Sequence, residues 1–301
     1  MDEELKRAVR RAFEAAADSY DAAAVLQREI AQRLDDHLDG IRLEPHVILD
    51  AGCGTGHGLP LLQARFPGAR LIGMDLAHAM AVRARDRCAP PVGLRGWLAR
   101  LVPGTPAIRT LCADMEHLPF ARNSLDLVWS SLALQWVGDP LASFREANRV
   151  LKPGGLFLFA TLGPDTLMEL REASAGLDGH QHVNRFIDMH DLGDALVHAG
   201  FANPVMEMER VTMTYEALPG LLRDLKSLGA HTVLENRRAG LMGRQEWRRL
   251  VERYERFRRD GRLPATYEVV YGHAWAGSKD RLEDGRQVIQ WKIQQRKAGL
   301  R

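Results

Sequence analysis

The sequence predicts an α/β fold: a doubly wound, mostly parallel seven-stranded sheet, preceded by a helical lid and carrying a helical insertion before its last strand. Three observations lead there. An apolar run at 47–49 ends in Asp50 and turns through Gly52, Gly54 and Gly56 into a helix from about residue 59. Strands ending in an acid recur at 69–75 and 107–114, separated by helix-spaced segments, a pattern that implies parallel crossovers. Beyond residue 162 the alternation loosens, and two strand-forming stretches, 204–215 and 265–275, bracket a basic helical segment.

Composition narrows the class. The chain has 301 residues, 46% hydrophobic and 27% charged, enough for a large core. A net charge of +2 excludes a protein that binds nucleic acid through overall charge. Three cysteines, Cys53, Cys88 and Cys112, have no paired spacing, which argues against a disulfide framework and a zinc site and fits a reducing cytosol. Neither a signal peptide nor an apolar run of membrane-spanning length stands out, so a cytoplasmic, non-membrane protein is expected.

In chain order, 3–38 carries helical spacing (Leu5, Val9, Phe13, then Leu26, Ile30, Leu34) with a hinge at Asp18–Ser19. It reads either as a pair of packing helices or as a lid bringing Phe13 and Tyr20 over a ligand; 1–40 is assigned to that lid. Residues 41–215 with 263–276 form the core, 216–262 a helical cap and 277–301 a tail with a possible edge strand at 287–293. A Pro/Gly-bounded insertion is expected at 90–107, strands at 124–131 and 154–162, and a helix at 141–150 stopped by LKPGG. Helices are further expected at 165–175, 189–199, 217–228 and 245–258.

The glycine turn alone does not choose a cofactor. The dinucleotide signature G-x-G-x-x-G is broken here, because His57 stands at its sixth place. The acids at the strand ends are more informative, since ligands bind at the carboxyl rim of such sheets. S-adenosyl-L-methionine carries an ammonium, a ribose diol and an adenine amino group, all able to donate to carboxylates. Asp50 is placed for the first, Asp75 for the second and Asp114 for the third. Gly52, Cys53, Gly54, Thr55, Gly56, Leu76, Met115 and Ser130 complete the expected cofactor contacts, and no metal is expected. Cys53 reads as a small filler rather than a nucleophile, and His57 and His273 as structural or cofactor-adjacent.

LDAGCGTG, GMDLAHAM, ADMEHLPF, LDLVWSSLALQWV and RVLKPGG, in this order over about residues 47–160, resemble class I S-adenosylmethionine-dependent methyltransferases. From about Phe13 to Trp275 the chain also resembles the BioC family of malonyl-[acyl-carrier protein] O-methyltransferases. The stretches that carry this are FEAAADSYDAAAVLQ, SSLALQWV, FATLGPDTLMELREA, HVNRF, LKSLGAHTVLENRR and LPATYEVVYGHAW. The 90–107 insertion and the tail after 276 depart from shorter members. The resemblance implies methylation of the free carboxylate of a malonyl thioester, priming pimeloyl and biotin synthesis. Relatives include a mitochondrial assembly factor with arginine hydroxylase activity. A protein-arginine hydroxylase, a methyltransferase for another small carboxylate and a catalytically inert binding module are therefore the alternatives.

A malonyl carboxylate is already an anion at neutral pH, so no catalytic acid or base is expected. Tyr20, Gln135, Trp136 and Arg185 are the substrate-orienting candidates, Arg185 as a carboxylate anchor or else a surface residue paired with Asp188. Segment 217–264 holds twelve Lys/Arg against six Asp/Glu. Its excess reads either as a docking face for an acidic malonyl-acyl carrier protein or as a solvated helix surface.

Overall fold

The computed structural model describes residues 3–89, 107–177, 180–228 and 242–277. The body of the 90–107 insertion, the centre of the basic segment and the tail with its possible strand at 287–293 lie outside the described residues.

Seven strands form one sheet in the order β3-β2-β1-β4-β5-β7-β6. They are β1 (Val47–Ala51), β2 (Arg70–Asp75), β3 (Arg109–Cys112), β4 (Leu125–Ser131), β5 (Leu151–Leu162), β6 (Phe201–Tyr215) and β7 (Leu263–Ala276). The first five are parallel, and β7 runs antiparallel to both β5 and β6. Strand order reverses direction between β1 and β4, which opens a crevice at the carboxyl rim there.

Both faces of the central strands are covered, which is why β1, β4, β5 and β7 are buried over most of their length, whereas the edge strands β3 and β6 are not. Along β5, Leu156, Leu158 and Ala160 join one core with Leu26, Ile30 and Leu34 of α3 (Val25–Asp36). Phe157 and Phe159 point the other way, onto Phe144 of α6 (Pro140–Val150) and Leu192 and Leu196 of α8 (Met189–His198). Helices α4 (Gly58–Arg65) and α5 (His78–Cys88) connect β1 to β2 and β2 to β3. Between β6 and β7 lie α9 (Leu218–Ser227) and α10 (Arg244–Glu255).

Several segments differ from their expected bounds: β3 spans Arg109–Cys112 rather than 107–114, which leaves Asp114 two residues beyond the strand end, and α10 stops at Glu255 rather than 258. The N-terminal pair is three pieces, α1 (Glu3–Ala16), α2 (Tyr20–Ala23) and α3, broken again at Ala24. β5 begins at Leu151 rather than 154: Leu151 pairs with Leu125, then Pro153-Gly154-Gly155 shifts the register before Leu156 meets Leu127. Gly154 takes φ +76 within that irregularity. β6 begins at Phe201, with the register shift falling where Pro204 cannot donate to the ladder. The helix expected from 165 is α7 (Met168–Ser174), because Leu167 takes a left-handed φ of +54 and gives its N–H to the Thr266 carbonyl, so the helix cannot begin before Met168.

Candidate active site

The glycine turn is held down by its neighbours. Gly52 and Cys53 N–H both donate to the Met74 carbonyl, at 2.7 and 2.9 Å. Gly52 (φ +82) brings its backbone so close to Ala133 that a Cβ would lie 2.2 Å from Ala133 Cβ. Gly56 (φ +85) packs under α5, where a Cβ would meet Ala84 at 2.9 Å. Gly54 borders open space capped by the Tyr20 ring.

The rim acids converge on a cavity of about 120 Å³ behind this turn. Asp75 Oδ2 accepts from Gly54 N–H and Oδ1 from Ala77 N–H, at 2.9 and 2.8 Å. Burial nevertheless raises the Asp75 carboxyl to about 6, those backbone bonds opposing the rise. Asp50 is buried opposite Trp129 on the paired strand. Burial, reinforced by the Asp75 charge, pushes its carboxyl up to about 8. Trp129 Nε1, in the same cavity wall, has no hydrogen-bond partner among the described residues. A buried acid without a compensating cation, facing a buried unpaired donor, marks a place for a ligand that is cationic and also accepts hydrogen bonds. An amino acid's ammonium and carboxylate meet that description, and the Asp75 edge suits a diol. The residues present therefore fit the methionyl and ribose portions of S-adenosylmethionine.

Helix α1 lies over the cavity mouth and is fixed by ion pairs. Lys6 Nζ sits 2.6 Å from Asp114 Oδ2 and 2.5 Å from Glu116 Oε2. Glu14 accepts from His78 and Ala79 N–H at 2.7 and 2.9 Å, satisfying donors at the start of α5. Asp21 accepts from the Thr55 hydroxyl at 2.5 Å, lies 3.1 Å from His57 Nε2 and pairs with Arg87. Phe13 meets Trp136 edge-on, ring centres 5.3 Å apart.

Beyond Phe13 and Tyr20 a second cavity of about 320 Å³ continues. Its apolar walls include Leu162, Leu170, Phe186, Leu222, Leu225 and Met242; its polar groups are amides, histidines and hydroxyls, with no Lys or Arg among the described residues. The two cavities share Phe13, Tyr20, Gln27, Leu132 and Trp136.

An acid-lined cavity and a larger, mainly apolar one thus meet at a common wall. Residues 49–159 match the family model described as a methyltransferase domain. The chain is 55% identical over 289 residues to the malonyl-[acyl-carrier protein] O-methyltransferase of Laribacter hongkongensis, covering 95% of each. Against the protein of that name from Gallionella capsiferriformans it is 51% identical, over 94% of this chain and 95% of the other. The chain belongs to the malonyl-[acyl-carrier protein] O-methyltransferase family. Its fold is also that of Bacillus YcgJ, with a TM-score of 0.56 at 13% identity over 83% of this chain and 99% of that one.

Within this family member the expected cofactor positions divide. Asp50, Gly52, Cys53, Gly54, Thr55, Asp75, Leu76, Asp114 and Met115 line the first cavity. Gly56 does not; its role is close packing against α5. Ser130 is fully buried, its hydroxyl unpartnered among the described residues, and it lines neither cavity, because side chains alternate along β4 and it is Ser131 that faces the first cavity. Asp114 is shared between Lys6 and the Glu116 N–H, so its carboxylate is bound to the lid as well as to the cavity. Burial pushes the Cys53 thiol well up, which keeps it protonated and inert. His57 is lowered by burial and by Arg87, and His273 by burial.

The acceptor candidates divide too. Tyr20 and Trp136 stand at the junction. Gln135 lines only the second cavity, and its amide is engaged at both ends: Nε2 donates to the Leu132 carbonyl at 2.7 Å and Oε1 accepts from the Thr161 hydroxyl at 3.2 Å. Arg185 is exposed and lines neither cavity, although Asn184 and Phe186 on either side line the second, so its place does not match that of an anchor inside the pocket. Asp188, its suggested partner, caps α8 through the His190 N–H. Sequence reasoning missed Lys6, Gln27, Glu116, Trp129 and Ser131. Gln27 alone left a signal, a polar residue in step with Ala31 beside the buried face of α3.

Proposed function

We propose that the protein transfers the methyl group of S-adenosylmethionine to the free carboxylate of malonyl-acyl carrier protein. The observation that carries this reading is the junction itself: an acid-lined donor chamber opens between Phe13, Tyr20 and Trp136 onto a larger, mainly apolar chamber. When bound, S-adenosylmethionine supplies a methyl group on a positively charged sulfur. One carboxylate oxygen forms the O–C bond as the C–S bond breaks, the electron pair staying on sulfur, and no proton moves. The chain's task is thus to bind, align and dry the two partners.

Asp50 holds the ammonium, with Trp129 Nε1 donating to the same methionyl group. Asp75 accepts from the ribose, and Asp114, already tied to Lys6, offers its edge to the adenine. Salt links from α1 and α2 close the chamber against water. The malonyl group reaches the junction through the second cavity, whose volume of about 320 Å³ and apolar walls suit a carrier-linked arm better than a free small acid. Since the relatives reported above are named as O-methyltransferases, the hydroxylase alternative is not carried further.

Docking of the acidic carrier on the basic segment belongs to the same proposal. Leu222 and Leu225 of α9 line the second cavity while Arg223 and Lys226 are exposed, and α10 presents Arg244, Arg248 and Arg249 outward. Arg253, Arg258 and Arg262 are instead spent on local contacts: Arg253 on the Ala175 carbonyl, Arg258 on Glu255 and Arg262 on Thr214. Raising salt from about 50 to 300 mM is expected to raise KM for malonyl-carrier protein at least about fivefold, and to change KM for malonyl-pantetheine less than about twofold. Equal salt dependence of the two would remove the docking face. The activity itself is tested by growth: the chain should restore biotin-independent growth to a strain lacking its own malonyl methyltransferase, and failure of a well-expressed chain to do so counts against the reading.

A further inference from the structure

Gln27 sits at the junction with an unmade bond. Its Oε1 is buried and has no hydrogen-bond partner among the described residues, and the side chain lines both cavities. Buried polar atoms are rarely left unpaired, so each one asks for a reason. Among the described residues the other such side-chain atoms are Trp129 Nε1, Ser130 Oγ and Ser143 Oγ. The two serines line neither cavity, and Trp129 belongs to the donor chamber. Gln27 is therefore the unpaired group that both chambers share. Gln135, the other amide nearby, has both ends committed.

The chemistry of the junction favours an amide. The acceptor brings a negative carboxylate and the donor a positive sulfur a few ångströms away. An arginine would repel the donor, and a glutamate would repel the acceptor. An amide carries no net charge and offers two N–H donors at one end and an acceptor oxygen at the other. We propose that Gln27 is a substrate-orienting residue. Its amide nitrogen donates to the carboxylate oxygen that does not attack, and its carbonyl oxygen faces the electropositive C–H groups of the methyl being transferred. The residue thereby selects an acceptor with a free carboxylate and turns that carboxylate towards the donor. This rests on the acceptor being a carboxylate, as proposed above.

The test uses full-length Gln27→Glu and Gln27→Leu beside the parent protein, with malonyl-carrier protein, saturating S-adenosylmethionine and a separate titration with S-adenosylhomocysteine. Near pH 8, kcat/KM for the carrier substrate is expected to fall about 100-fold in Gln27→Glu and about 30-fold in Gln27→Leu, while S-adenosylhomocysteine binds within about threefold of the parent. As pH falls towards about 5, where roughly a sixth of an ordinary glutamate is protonated, Gln27→Glu should recover at least about tenfold relative to the parent at each pH. A protonated glutamic acid is neutral and can donate, whereas leucine never can. The proposal is overturned if both variants keep kcat/KM within about threefold of the parent, if the two lose activity in parallel at every pH, or if S-adenosylhomocysteine affinity falls as far as kcat/KM. A parent that fails to methylate malonyl-carrier protein rejects the underlying reaction; an active parent with indifferent variants rejects only the role of Gln27.

Discussion

Asp50→Asn is expected to weaken S-adenosylhomocysteine binding about 100-fold near pH 8, the loss of a buried charge-assisted bond of about 2–3 kcal/mol. The pH dependence is the sharper signature. Burial holds the Asp50 carboxyl up to about 8, so most of the ligand-free protein carries a proton there at neutral pH. Pairing with the ligand's ammonium requires the carboxylate, so binding releases that proton. Affinity should then rise about tenfold per pH unit from about 6 to 8 and level off above that, where Asp50 is already ionised in the ligand-free protein and no proton is left to release. Calorimetry in buffers of different ionisation enthalpy counts the proton directly. Asp50→Asn should abolish the slope over this range, and 5′-methylthioadenosine, which lacks the amino-acid arm, should show none. The same shift acts on stability with a definite sign. A folded-state value raised above the usual carboxylate range stabilises the ligand-free protein in acid and is lost as pH rises through about 8. Between about pH 5 and 8 the ligand-free Asp50→Asn variant should lose less thermal stability than the parent. A parent affinity flat in pH would contradict the assignment of Asp50 to the ammonium.

The second large effect is expected at Gly52. Its φ of +82 is costly for any L side chain, and a Cβ would sit 2.2 Å from Ala133 Cβ. Left-handed backbone costs about 1–2 kcal/mol and over-packing about 1–3 kcal/mol, so Gly52→Ala should destabilise by about 2–5 kcal/mol and abolish donor binding. Because the clash is with one methyl group, Ala133→Gly in the same chain should return at least about 1 kcal/mol, measured as the coupling in a double-mutant cycle by urea unfolding. Additive effects would mean that the turn, rather than the turn against Ala133, takes up the strain.

What the sequence disclosed was set by local patterns. A strand that ends in an acid places that acid on the rim whatever else the fold does, so Asp50 and Asp75 could be read from one line of text. Parity was harder. Ser130 and Ser131 differ only in which face of β4 they occupy, and Arg185 is exposed while Asn184 and Phe186 on either side line the second cavity, in a segment without regular structure. Nothing in a run of residues fixes that phase until the neighbouring elements are in place. Contacts between distant parts were invisible: Lys6 meets Asp114 and Glu116 more than a hundred residues away, and Trp129 becomes a cavity wall only when β4 lies beside β1. LKPGG read as a helix stop, which it is, but its two glycines also shift the register within β5 rather than preceding it. The signal at Gln27 was faint, because one amide beside an apolar helix face is ordinary until the structure leaves its oxygen unpaired between two cavities.

The central claim is that the donor chamber delivers a methyl group to a free carboxylate on a carrier arm, and label transfer tests it most directly. With methyl-labelled S-adenosylmethionine and equal amounts of malonyl- and acetyl-carrier protein, label should appear on the malonyl form alone and be released by mild alkali, as expected for a methyl ester. No label on malonyl-carrier protein, or equal label on the acetyl form, which has no free carboxylate on its arm, would contradict the account.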